Sequence, residues 1–314
     1  MICAVSLNPA VDKYLRLPAL RRGEHLEAEE VIASAGGKAI NVAGVLRVLG
    51  EEVELLGFFG GFTGDYILRE VAREGIHADP VAVPGLTRTA FVLVEADGTE
   101  TEVVEPGAPV SAEAIAALRA KLRAAAARAQ VVVLSGSVPP GCPDDIYVQL
   151  LADCGGHCPV IVDTSRVHLR ALLAARPQPG AAMIKPNRRE AEAAVGHALA
   201  RADDLARVLE HFSACGVAMP VVSDGAAGLW AWLEGQVWHA HSPALTRVNS
   251  VGSGDAAVAG LAASLARHSP PEQMLRLAAA CGAANVLTKE CGEVRREDVE
   301  RLMGQITVRT TSEQ

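Results

Sequence analysis

Between Val248 and Gly260 the chain reads VNSVGSGDAAVAG, so Gly252, Ser253 and Gly254 immediately precede Asp255 and an alanine-rich run. Ala256, Ala257, Val258, Leu261, Ala262, Leu265 and Ala266 recur at helical spacing until Ser269, Pro270 and Pro271 end the pattern. The glycines therefore stand at a helix mouth. Unpaired N–H groups and the positive end of the macrodipole favour an anion there, and bare backbone lets it come close. A carboxylate beside such a site suits the removal of a proton, although an acid in a first helical turn also simply favours the dipole.

A second helix mouth lies in SAGGKAINVAGVLRVLG, where Gly36 and Gly37 precede Lys38, Asn41 follows one turn on, and Gly50 stops the helix. Lys38 beside two glycines is a ligand for phosphate or hydroxyl. The pair GK invites a P-loop reading, but that motif needs glycine and Ser or Thr where Ile32 and Ala39 stand. The segment GSGDAA satisfies the G-x-G-x-x-A spacing of dinucleotide-binding folds. The residues before it, HSPALTRVNS, hold a proline and no buried strand, and no strand end with an acid follows.

These residues need elements to hold them. Strand-like runs (ICAVSL, VELLGFF, VVVLSG, VIVD, AAMIKP, PVVSDG) alternate with helical ones, including Lys38 to Leu49 and a helix near 65 to 74. Such alternation predicts an α/β fold, a doubly wound, mostly parallel sheet covered by helices. Residues 13 to 35 and 87 to 107 break the alternation with extended segments, and Ala96, Asp97 and Gly98 bend a hairpin between two of them. We read 13–35 and 87–107 as a small β lid on a main domain of 1–12, 36–86 and 108–314. The closing TTSEQ reads as a frayed tail.

Open parallel sheets bind ligands at the carboxyl ends of their strands. There SLNPAVD brings Asp12, LSGSVPPG brings Ser135 to Gly141, IKPNRRE brings Asn187 and Glu190, and VSDGAAG brings Asp224 to Gly228. Glycine and proline end strands and Asn or Ser caps helices, which accounts for each loop taken singly. Their convergence on the edge that carries Gly252 and Gly254 is a further signal.

Composition narrows the partners. Among 314 residues the net charge is −8 with no basic stripe, which argues against nucleic acid. Half of the residues are apolar, yet no apolar run approaches the roughly 20 residues that span a membrane. The opening MICAVSLNPAVD reads as a strand rather than a leader, so a cytoplasmic protein is expected. Seven scattered cysteines fit reduced thiols, and CGGHC at 154–158 lacks a second ligand pair for zinc.

In order, SLNPAVD, GGKAIN, TRTAFVL, SGSVPPG, KPNRRE, VSDGAAG and NSVGSGD resemble the PfkB or ribokinase-like family of sugar kinases, over nearly the whole chain. The likeness is greatest to the branch holding 1-phosphofructokinase and tagatose-6-phosphate kinase. The resemblance implies a ribokinase-like fold whose β lid forms a homodimer contact, with ATP, Mg²⁺ and a sugar phosphate as ligands. It implies Asp255 as the base that deprotonates the acceptor hydroxyl, with Gly252, Ser253 and Gly254 as the anion hole. Asp12, Gly37, Lys38 and Asn41 would contact the sugar, Arg88 with Lys38 would clamp its phosphate, and Ser137 would face the substrate. Lys185, Asn187 and Glu190 would serve the nucleotide phosphates, the last two holding Mg²⁺ through water. Ser223, Gly225, Ala226 and Gly228 would form the nucleotide loop, with Asn285 by the adenine. Ala39, Asp224 and Asn249 depart from the family pattern, and Asp224 sets a negative charge beside the expected phosphates. Other readings are a kinase of an unphosphorylated sugar or nucleoside, a NAD-dependent oxidoreductase and a non-catalytic sugar-phosphate sensor.

Overall fold

The run ICAVS forms a strand buried on both faces, the pattern of a central strand in a sheet covered on two sides. The computed structural model describes residues 1–176 and 182–310; most of the TTSEQ tail lies outside the described residues. The strands are β1 (Ile2–Ser6), β2 (Ala10–Leu17), β3 (Glu30–Gly36), β4 (Val53–Phe59), β5 (His77–Ala82), β6 (Arg88–Glu95), β7 (Glu100–Val104), β8 (Val131–Ser135), β9 (Val160–Asp163), β10 (Ala182–Ile184), β11 (Met219–Ser223), β12 (Leu229–Leu233), β13 (Gln236–His241) and β14 (Thr307–Thr310). The helices are α1 (Lys38–Val48), α2 (Gly61–Arg73), α3 (Ala112–Ala126), α4 (Ile146–Asp153), α5 (Arg166–Ala175), α6 (Arg188–Val195), α7 (Ala202–Ala214), α8 (Ser253–Ala266), α9 (Pro271–Asn285) and α10 (Arg296–Met303).

The main sheet runs β14-β13-β12-β11-β10-β9-β8-β1-β4-β5. It is parallel from β5 to β11 and antiparallel beyond. The chain passes from β1 to β4 on one side and returns to β8 on the other, so a topological switch point opens beside β1. Alternate residues serve opposite layers: Ile2 and Ala4 pack with α1, α8 and α9, while Cys3 and Val5 pack with α3, α4 and α7. Nearly all of α8 is buried, and Gly260 admits the backbone of α9 at Ala278. An alanine-rich helix with no polar face suits that place between other helices.

The small sheet has the order β3-β2-β6-β7, with β2 and β6 parallel and the outer pairs antiparallel. The expected hairpin turns at 96–98, where the Gly98 amide donates to the Glu95 carbonyl at 2.9 Å. Because β2 begins at Ala10, the boundary drawn after residue 12 falls inside a strand, and the small sheet itself carries Asp12. The helix expected near 65 starts earlier, at Gly61; its first turn has neither an acid nor a side-chain cap to mark it. Among the described residues no helix is long and apolar enough to cross a membrane.

Candidate active site

The strand ends beside the switch point open into a cavity of about 1790 Å³. Pockets for one drug-sized ligand run to roughly 300–1,000 Å³, so there is room for two ligands side by side. Every site residue expected from the sequence lines this cavity except Asn285.

The helix mouth at its centre is built as the glycines suggested. Gly252 caps α8 at φ 86, a left-handed conformation, and Asp255 occupies the first turn. Asp255 is buried, and the Asn41 side-chain amide donates to its Oδ2 at 2.8 Å. Asn41, expected to touch the sugar, thus orients the carboxylate as well as lining the cavity. Burial, reinforced by the charge of Asp163, pushes the Asp255 pKa up to about 7 against the pull of Lys38, the Asn41 hydrogen bond and Lys185. A carboxyl poised there can take a proton near neutral pH. Ser253 Oγ is buried in the wall without a partner.

Asp163, at the end of β9, was not singled out in the sequence although it is central here. Its carboxylate accepts from Lys38 Nζ at 3.3 Å and from Ser135 Oγ at 3.4 Å, and Lys185 Nζ lies 3.9 Å away. Its signal was an acid at the carboxyl end of a parallel strand, the same position that marked the other loops. Burial works to discharge Lys38, but Asp163, Asp255 and Glu190 together outweigh it and raise the pKa, so the ammonium is kept.

On the lid side, register sets Arg88 of β6 opposite Ala10, with Asp12 opposite Ala90, so acid and guanidinium face the cavity as neighbours. Burial raises the Asp12 pKa to about 6, with Arg88 opposing. The carboxylate rests against bare Gly36, where any Cβ would collide with it. Arg88 donates to the Asn8 carbonyl at 3.2 Å through Nε and to the Glu105 carbonyl at 3.2 Å. Asn8 in turn reaches Ser137 Oγ at 3.2 Å.

On the opposite side, Asn187 and Glu190 form a capping box for α6, each side chain accepting the other's backbone N–H at 2.9 Å. The two readings of N-x-x-E meet here, since both residues also line the cavity. The loop Ser223–Gly228 makes a single 3₁₀ turn at Gly225–Ala227. Asp224, the unexpected acid, is paired with Arg188 at 2.9 Å.

Asn285, expected beside the adenine, is the exception. It is fully buried outside the cavity lining, its amide donates to the Val251 carbonyl at 3.0 Å, and it buttresses the loop before Gly252. The nearby wall is made instead by Ala279, Gly282, Ala283 and Val286, because packing against α8 turns Asn285 inward. Nor does GSGDAA have a dinucleotide-binding context: β13 ends at His241, and no strand leads into α8.

The donors present suit a nucleoside triphosphate with a hard divalent cation. Asp163 Oδ1 is buried and accepts no hydrogen bond, with Lys185 Nζ 3.9 Å away, and the capping box uses only one oxygen of Glu190. Such cations take oxygen ligands and are commonly held by one or two carboxylates plus phosphate and water.

A doubly wound sheet with a small sheet over its switch-point cavity is the ribokinase-like architecture. The chain belongs to the family described as pfkB family carbohydrate kinase, whose model matches residues 3–297. Phosphofructokinase-2 from Escherichia coli in complex with substrates and products is similar, with TM-score 0.89 and 27% identity over 97% of this chain and 98% of that one. The same enzyme in complex with fructose-6-phosphate gives TM-score 0.88 and 26% identity over 97% and 98%. A Thermotoga maritima protein named as a possible 1-phosphofructokinase shares the fold at TM-score 0.88, with 24% identity over 99% of each chain.

Proposed function

We propose that this carbohydrate kinase transfers the γ-phosphoryl group of ATP to a hydroxyl of a ketohexose phosphate, fructose 1-phosphate or tagatose 6-phosphate, giving the bisphosphate. The observation that carries this reading is the buried Asp255 carboxyl, held by Asn41 beside the Gly252–Gly254 backbone and tuned to about 7. Asp255 takes the proton of the acceptor hydroxyl, whose oxygen bonds to the γ-phosphorus as the bond to the β–γ bridging oxygen breaks and ADP leaves. The amides of the helix mouth hold the phosphoryl oxygens in flight, the electrostatic part of the work. Lys185 Nζ stands beside Gly254 at this mouth. Asn187 and Glu190 would hold Mg²⁺ through water, and the ion would supply charge neutralisation at the phosphates. Ser223, Gly225, Ala226 and Gly228 receive the nucleotide, while Asp12, Gly37, Asn41 and Ser137 contact the sugar.

A panel of fructose 1-phosphate, tagatose 6-phosphate, fructose 6-phosphate, the unphosphorylated sugars and a nucleoside with ATP and Mg²⁺, read by ADP release, tests the assignment. Turnover on one of the first two well above that on unphosphorylated sugars is expected. Turnover confined to a free sugar or nucleoside would overturn the sugar-phosphate choice, and none on any acceptor would favour a sensor.

Lys38 and Arg88 line the cavity and are the cations assigned to a phosphate already on the sugar. A charge-assisted hydrogen bond contributes about 1.5–3 kcal/mol, or roughly 10- to 100-fold. Lys38→Ala and Arg88→Ala should each lower kcat/KM for the sugar phosphate by that factor and for its unphosphorylated analogue by far less. Equal losses on both substrates would refute the clamp.

The small sheet also offers an oligomer contact. Val31 and Val103, 59% and 52% exposed, stand on its face turned away from the cavity, an apolar surface that a second copy would cover to form a homodimer. Sedimentation velocity should give a dimer that Val103→Asp weakens; a wild-type monomer at micromolar concentration would exclude it.

A further inference from the structure

Two side chains just behind the cavity wall face each other across the two turns that meet on its nucleotide side. Arg188 lies between Asn187 and Glu190, which line the cavity, and Asp224 lies between Ser223 and Gly225, which also line it. Neither Arg188 nor Asp224 is part of the lining. They join at 2.9 Å, with the Asp224 side chain 13% exposed. The same turns touch through backbone as well, since the Ser223 amide donates to the Pro186 carbonyl at 3.1 Å and Asn187 bridges to Ser223. Asp224 precedes the 3₁₀ turn of the loop assigned above to the nucleotide, and its carboxylate would repel a phosphate held there. Its charge is cancelled from α6, by the residue next to the Asn187 cap.

We propose that Arg188 is a positioning residue for the nucleoside triphosphate: by neutralising Asp224 from behind the wall, it keeps the 224–228 turn open to a polyanion. This inference rests on the assignment of that turn to ATP. It makes nucleotide affinity depend on a charge pair that contacts no ligand. Loss of Arg188 leaves one uncompensated negative charge beside the phosphates, whereas loss of both charges leaves none.

Titration calorimetry with ATP and Mg²⁺, without sugar, on the full chain tests this. Arg188→Ala should raise the Kd for ATP about tenfold or more at low salt, and the defect should shrink at high salt as screening grows. Asp224→Asn alone should leave Kd within about threefold of wild type, and the double variant Arg188→Ala/Asp224→Asn should return to that range although it, too, lacks the ion pair. A defect that Asp224→Asn does not relieve, or one insensitive to salt, would make Arg188 a mere structural support and overturn the proposal. An unchanged Kd in Arg188→Ala would overturn it too. Wild-type protein that bound no ATP would instead bring down the kinase reading on which it rests.

Discussion

Replacing Asp255 with asparagine is expected to lower kcat by at least about 10²-fold while leaving the Kd for ATP within a few-fold of wild type, because a positioned base contributes roughly 10²- to 10⁴-fold. Asparagine keeps an oxygen for the 2.8 Å hydrogen bond from Asn41 but takes no proton. In the wild type kcat should fall as pH drops through about 7, where Asp255 becomes protonated. The residual rate of the variant should lack that step. Stability should move the other way. The Asp255 pKa is raised from 3.8 to about 7 in the folded chain, so its contribution to stability is present below 3.8 and is lost as pH rises through 7. An uncharged asparagine escapes that loss. Asp255→Asn should therefore melt above wild type near about pH 8, with the advantage shrinking toward about pH 5. Near-normal turnover in the variant would remove Asp255 from the chemistry.

Gly252→Ala is expected to cost roughly 10²- to 10³-fold in kcat/KM and to lower Tm, because it directly disturbs the backbone proposed to hold the phosphoryl group. Gly252 has φ 86, and an added Cβ would collide with the Gly292 backbone nitrogen and stand 2.9 Å from Asn285 Oδ1. A left-handed conformation costs a non-glycine residue about 1–3 kcal/mol, and the collision can be relieved only by moving the helix mouth. Displacement of about 1 Å from a working geometry is itself sufficient for roughly 10²-fold. Steady-state kinetics with a melting curve checks both effects. A variant with wild-type kcat/KM would show that these amides do not hold the transferring group.

The features legible in the chain are those whose cause is local. Glycines before a run of helical periodicity predict a helix mouth wherever the helix goes, and α8 begins at Ser253 as its spacing implies. The Ala96–Gly98 bend between alternating residues predicts a hairpin, and β6 and β7 pair across it. Asn187 and Glu190 stand three apart, so a capping box is available from spacing alone. The start of α2 left no such mark, because its N-cap is Gly60, which has no side chain to cap with.

The electrostatics of the site had no local cause and so no local signal. Asp163 reads as the end of a buried strand until the β8–β9 register sets it beside Ser135 and α1 brings Lys38 within 3.3 Å. Asn285 reads as a polar residue on a late helix until packing buries it behind Val251. Asp224 reads as a misplaced charge until Arg188, from another helix, meets it. Composition, hydrophobic period and turn chemistry therefore specified the α/β class, the layering and the glycine-lined helix mouth. Which carboxyl holds a proton, which lysine stays charged and which asparagine faces inward followed only from the folded arrangement. Periodicity acts between near neighbours along the chain, whereas charge and burial depend on distances between residues that folding alone brings together.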